Sequence, residues 1–93
     1  MFVGVCSLDL VLAENHSLKG KRRVLRTVKD RVRNTFNISI AEVDMLDAWQ
    51  RCTIGLSCVG RDKPHLEQQL SNVVEFIDRM HLAEIENVHI EII

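Results

Sequence analysis

The 93-residue chain contains no tyrosine, a single tryptophan, three phenylalanines, one proline and four glycines. No stretch is rich enough in proline, glycine or serine to act as a linker, so residues 1–93 read as one domain. Apolar runs stop well short of bilayer-crossing length, which excludes a membrane-spanning helix. Met1–Leu12 carries Asp9 and lacks both a basic start and a small-residue cleavage site. It therefore does not read as a signal peptide, and cytoplasmic residence is the expectation.

Motifs that carry chemistry are also missing. Cys6, Cys52 and Cys58 have no C-x-x-C spacing and sit in apolar segments, where a thiol acts as a small buried hydrophobe. His16, His65, His81 and His89 fall in separate elements with no partner at a familiar ligand spacing, so neither metal nor cofactor is expected. The turn Ala13–Ser17 lacks the glycines of a phosphate cradle and carries Glu14 instead. Ser17 follows His16, but adjacent residues rarely reach base–nucleophile geometry, and helix capping accounts for the serine. With no acid–base pair and no activated nucleophile, no catalytic residue is assigned, and the chain does not read as an enzyme.

What the sequence does have is patterning. From Phe2 to Leu12 the even positions are apolar or small and the odd ones include Ser7 and Asp9, the period of a strand with its even face buried. Ser17 caps a helix whose stripe is Leu18, Val24, Leu25, Val28, Val32 and Phe36, ending at Asn37. Ile38–Val43 reads as a second strand, Asp44–Ala48 as a turn, and Trp49–Gly60 as a third strand. Asp62 and Pro64 open a second helix with Leu66, Leu70, Val73, Val74, Ile77 and Met80 on one side. Val88, Ile90 and Ile92 mark a last strand.

The order βαββαβ, with right-handed crossovers, predicts a ferredoxin-like α+β sandwich: a four-stranded antiparallel sheet with two helices on one face and the other face open. That open face should carry Val3, Val5, Val11, Trp49, Arg51 and Val59. Its positions Val3, Val5, Ser7, Thr53, Gly55 and Ser57 offer no ring for base stacking, but the partly apolar character of the face suits a homodimer, with Trp49 and Arg51 as interface anchors alongside Val3 and Val5. Trp49 closing one end of the core is the alternative.

Charge is spread unevenly. Eight of the twelve basic residues, Lys19, Lys21, Arg22, Arg23, Arg26, Lys29, Arg31 and Arg33, lie in the first helix against the single acid Asp30. At about 100° per residue, Arg22, Arg26, Lys29 and Arg33 form one row, with Lys19 and Arg23 nearby. Like charges at this spacing repel by roughly 0.2–0.5 kcal/mol per pair. The row thus needs either an anionic partner, such as the phosphates of structured RNA or the ribosome, or acids in the fold. Glu67, Glu75 and Asp78 on the second helix, or Asp44 and Asp47 in the turn, could supply the latter.

The strings Gly4-Val5-Cys6, Ser17–Val24, Phe36–Val43 and Asp47–Arg51 together resemble the bacterial YlxP-like family, a domain of unknown function. The resemblance spans essentially the whole chain. It implies a ferredoxin-like fold, brings no catalytic residues, and favours ribosome or RNA association through genomic context alone. One departure is Gly20, where relatives commonly carry an acid that would complete a capping box with Ser17; a looser first turn is expected here.

Overall fold

The alternation from Phe2 to Val11 forms β1, the strand around which the others assemble. The structure, a computed structural model, describes all 93 residues. After β1 come α1 (Leu18–Thr35), β2 (Ser39–Asp44), β3 (Arg51–Gly60), α2 (Lys63–Arg79) and β4 (Glu84–Ile92). All pairings are antiparallel and the strand order is β2-β3-β1-β4, so β1 and β3 are central and β2 and β4 are edges. This is the ferredoxin-like sandwich expected from the sequence.

The even residues of β1 and β3, among them Leu8, Leu10, Ile54 and Leu56, point to one side and are buried there with Leu25, Val28 and Val32 of α1 and Leu66, Leu70, Val73 and Ile77 of α2. Sixteen apolar residues make this single core, each contributing roughly 1.5–3 kcal/mol when a large side chain is fully buried. A T-shaped contact between Phe36 and Phe76, 5.4 Å between ring centroids, joins the segment after α1 to α2. No helix is long and apolar enough to cross a membrane.

Two strands depart from simple alternation. In β4, Asp9 pairs with Asn87 but Leu10 pairs with Ile85, leaving Glu86 as an extra residue. The bulge shifts the inward set from Ile85 to Val88, so the strand begins at Glu84, four residues before the alternating run that marks it in the sequence. In β2, Glu42 faces Ile54 and Asp44 faces Thr53, and the extra residue is Val43, which lies against Cβ-less Gly55 on the open face. The third strand starts at Arg51 and not at Trp49, which lies in a bend before it.

The three thiols are buried and unbridged. Burial, and for Cys6 its neighbour Cys58, raises the Cys6 thiol from 9.0 to about 11; burial, then Glu42, raises Cys52 to about 11. The folded chain holds these protons more tightly than the unfolded one, so stability is fully present below the unfolded thiol value and declines as pH rises through the window of about 9 to 11. Native protein at neutral pH should label with a thiol reagent only as fast as it unfolds. Labelling of Cys6 or Cys52 at the rate of a free thiol would contradict this.

Candidate nucleic-acid interface

The residues that face the core from α1 are Lys21, Leu25, Val28 and Val32, spaced four, three and four apart. A lysine thus occupies the first position of an otherwise apolar stripe, with only 1% of its surface exposed. Its Nζ donates to the backbone oxygens of Met45 and Ala48, each at 2.7 Å, with Leu46 O at 3.4 Å. Glu42 Oε2 stands 2.8 Å from the same nitrogen, outside hydrogen-bonding angles, and acts as its charge partner. Glu42 can do so because it sits on the helix side of β2, two residues after buried Ile40. One ammonium therefore joins α1, β2 and the β2–β3 loop, and holds Met45 at a left-handed φ of 59°.

That loop is also tied to the β1–α1 turn. Asn15 Nδ2 donates to Ser17 O at 2.7 Å and to Trp49 O at 2.6 Å, while Gln50 Nε2 donates to Asn15 O at 3.0 Å. Ser17 Oγ caps α1 by accepting from Gly20 N at 3.0 Å. A Cβ at position 20 would meet Asn15 Oδ1, so any other residue there requires the asparagine side chain to shift from its place in the bridge. The space an acidic side chain would enter is taken by the asparagine bridge, so the first turn is tethered and not loose.

The other seven cations of α1 lie outside the core, and none is within 4.0 Å of a carboxylate. The acids that the sequence offers as counter-charges make no ion pair with them: Glu75 meets Arg79 on its own helix, Asp44 accepts from Met45 N, and Asp78 shares a cleft with Arg23 without coming within 4.0 Å. Of the predicted row, Arg22, Arg26 and Arg33 are exposed and Lys29 is half-buried. Arg33 Nη2 donates to Ile40 O at 3.1 Å, which places this flank of α1 over the free edge of β2 and shields that edge. Lys19, Arg22, Arg23 and Arg26 converge on a dent of about 180 Å³ lined by these four side chains alone. This dent lies in the N-terminal half of the helix. The helix macrodipole is positive there and the first turn holds no acid.

Beside the dent lies a larger cleft of about 630 Å³, between the β1–α1 turn, the first turns of α1, the end of α2 and the turn into β4. Leu12, Val24 and Leu82 give it apolar walls; Glu14, Asp78 and Glu84 give it carboxylates; Arg23 lines both cavities. The sequence contains no signal for this cleft, because its walls come from segments far apart in the chain.

The residues assigned to an interface divide into two groups. Val3 and Val5 are half-buried on the open face, and Arg51 lies there in an ion pair with Glu86 at 2.7 Å. Trp49 is 55% exposed, neither on the strand nor closing the core, and sits in the loop held by Lys21 and Asn15. No group of three His, Cys, Asp or Glu side chains is placed to hold a metal ion.

The family described as "Protein of unknown function (DUF503)" matches residues 3–90. The chain belongs to that family. It is 37% identical over 76 residues to "Uncharacterized protein YlxP" of Bacillus subtilis (strain 168), covering 82% of this chain and 83% of that protein. Among solved structures, LarC2, the C-terminal domain of a cyclometallase involved in the synthesis of the NPN cofactor of lactate racemase, superposes with a TM-score of 0.55 at 7% identity, over 100% of this chain and 55% of that one. A C-terminal segment of the alpha subunit of aIF2 from Pyrococcus abyssi gives 0.54 at 13% identity, over 99% of this chain and 49% of that one. The de novo designed protein Foldit4 gives 0.53 at 14% identity, over 100% and 97%. Identities this low establish a shared fold and nothing further.

In this DUF503 member the Lys21 brace generates a stability prediction. Lys21→Met leaves Glu42 without its cation and the Met45 and Ala48 carbonyls without a donor, and should cost about 3–5 kcal/mol. Adding Glu42→Leu removes the stranded carboxylate and should recover part of that loss. Denaturant unfolding of both variants checks this; a double variant no more stable than the single would mean that Glu42 is not the partner that matters.

Proposed function

We propose that this chain is a small, non-catalytic cytoplasmic accessory protein that docks on structured RNA or ribonucleoprotein through the basic flank of α1. The supporting observation is the dent formed by Lys19, Arg22, Arg23 and Arg26, four cations held together with no carboxylate in contact. Mutual repulsion and the macrodipole both oppose this arrangement, by a few tenths to about 1 kcal/mol per charge. A phosphate backbone reverses both penalties. Phosphate contacts position a protein without reading bases, so little sequence preference goes with this reading. Lys29 and Arg33 extend the same flank.

The test is binding to a structured RNA and to ribosomal subunits across salt concentrations. About four phosphate contacts imply affinity falling roughly a hundredfold from 50 to 200 mM salt. A variant with Lys19, Arg22, Arg23 and Arg26 all changed to Gln should lose this binding while melting at the same or a higher temperature, since repulsive charges are removed. Binding that is indifferent to salt, or unchanged in the variant, would refute the reading.

A second reading, a homodimer through the open sheet face, has its own support. Val59 (65% exposed), Val3 and Ile93 (68% exposed) form a row across β3, β1 and the end of β4. Val3 pairs with Val59 on one side and exchanges backbone hydrogen bonds with Ile93 on the other. Such a row favours a second copy of the chain. Light scattering over a range of concentrations should then show a dimer that Val59→Asp converts to monomer; a monomer throughout would eliminate it.

A further inference from the structure

We propose that the basic dent and the neighbouring cleft form one nucleotide-binding site, the phosphate held by Lys19, Arg22, Arg23 and Arg26 and the sugar and base seated in the cleft. The inference shares its phosphate contacts with the RNA reading above and rests on it to that extent; the cleft is independent of it.

Three observations converge on a nucleotide. The two cavities are neighbours, with Arg23 as a wall common to both. The cleft, at about 630 Å³, falls within the range of small-ligand sites. The polarity of the pair is opposite from one end to the other. The dent is purely cationic, whereas the cleft carries Glu14, Asp78 and Glu84, none of them paired with a cation within 4.0 Å.

This polarity restricts the ligand. A polyanion satisfies the dent but is repelled by the carboxylates of the cleft; an organic cation satisfies the cleft but is repelled by the dent. A carboxylate accepts hydrogen bonds and offers none. The end of the ligand in the cleft must therefore be uncharged and rich in donors, as ribose hydroxyls and the N–H groups of a base are. The apolar walls at Leu12, Val24 and Leu82 suit a body of this kind. His81 supplies the one ring of the lining and is held at a left-handed φ of 53°. That φ is the one that ends α2, since His81 directly follows the helix cap Met80 and its N–H bonds back to Asp78 O.

Titration calorimetry on the whole protein tests the assignment, using AMP and GMP beside adenosine, ribose 5-phosphate and inorganic tripolyphosphate. Each nucleotide should bind at least about tenfold more tightly than any of the three fragments. Ala13→Trp, at an exposed position in the cleft wall, should weaken nucleotide binding at least about tenfold and leave salt-dependent binding to duplex RNA unchanged. Short RNAs of one sequence with a 5′-phosphate or a 5′-hydroxyl separate the two sources of this chemistry. A preference for the phosphorylated end that Ala13→Trp abolishes assigns the site to an RNA terminus, and no preference beside tight AMP or GMP binding assigns it to free nucleotide. Nucleotide binding unaffected by Ala13→Trp, or tripolyphosphate binding as tightly as AMP, overturns the inference while leaving the RNA reading intact. Cleft-dependent AMP binding by a protein that binds no RNA supports the inference and removes the RNA reading.

Discussion

A buried ammonium fixes the architecture of this molecule at the end where the exposed cations of α1 and the neighbouring cleft gather. Lys21 leaves water to meet two carbonyls and a carboxylate, and the cost of its desolvation is offset only if all of them are in place together. The N-terminal half of α1, the bulged end of β2 and the loop before β3 are therefore mutually dependent. A well-packed apolar side chain at position 21 could match the lysine in stability, but it could not dictate where the Met45 and Ala48 carbonyls point. The brace supplies geometry: it holds Met45 in the left-handed region and keeps the loop that carries Trp49 against the turn beside the helix cap.

The eight cations of α1 consequently do two different jobs. One lies inside the core, neutralised; seven lie outside, with no carboxylate within 4.0 Å. The separation follows from helix geometry. Lys21 shares the stripe of Leu25, Val28 and Val32, whereas Arg22 and Arg26 are rotated away from it. Arg33 shows how a flank can also serve the fold, since its contact with Ile40 O occupies a free acceptor on an edge strand that would otherwise invite pairing.

Much of this architecture is legible in the residues themselves. The alternation in β1 and β3 and the stripes of both helices give the fold, because each is a local period with a single buried face. Glu86 interrupts the period of β4, so only the run from Val88 onward carries a strand signal. Lys21 is a different case: its spacing to Leu25 and Val28, together with the alternation of Ile40 and Glu42, was present to be read. A lysine among seven other cations reads as surface charge unless its spacing is weighed above its chemistry. The cleft leaves no trace in the sequence, since Glu14, Arg23, Asp78 and Glu84 become neighbours only through the packing of α1 and α2 on the sheet. Gly20 stands between these cases. Its departure from the family pattern is visible in sequence, but the side chain beside it, the Asn15 amide lying across the first turn, is placed by a tertiary contact.

The location of the exposed charge is harder to explain by stability alone than its amount. A helix gains from acids in its first turn and from cations in its last, yet α1 has no acid in the first turn and places four of its seven cations outside the core in its N-terminal half. Moving the same charges toward Thr35 would relieve the macrodipole penalty and leave the buried stripe untouched. The arrangement has to be held by other means: the Ser17 cap, the Asn15 tether and the Lys21 brace all act on that same first turn. Three stabilising devices thus coincide with an unfavourable charge distribution, and the β1–α1 turn they hold lines the neighbouring cleft. A fold that needed only to be stable would require the supports but not the charges beside them. Their coincidence at one end is the feature that the proposed anionic partner would account for.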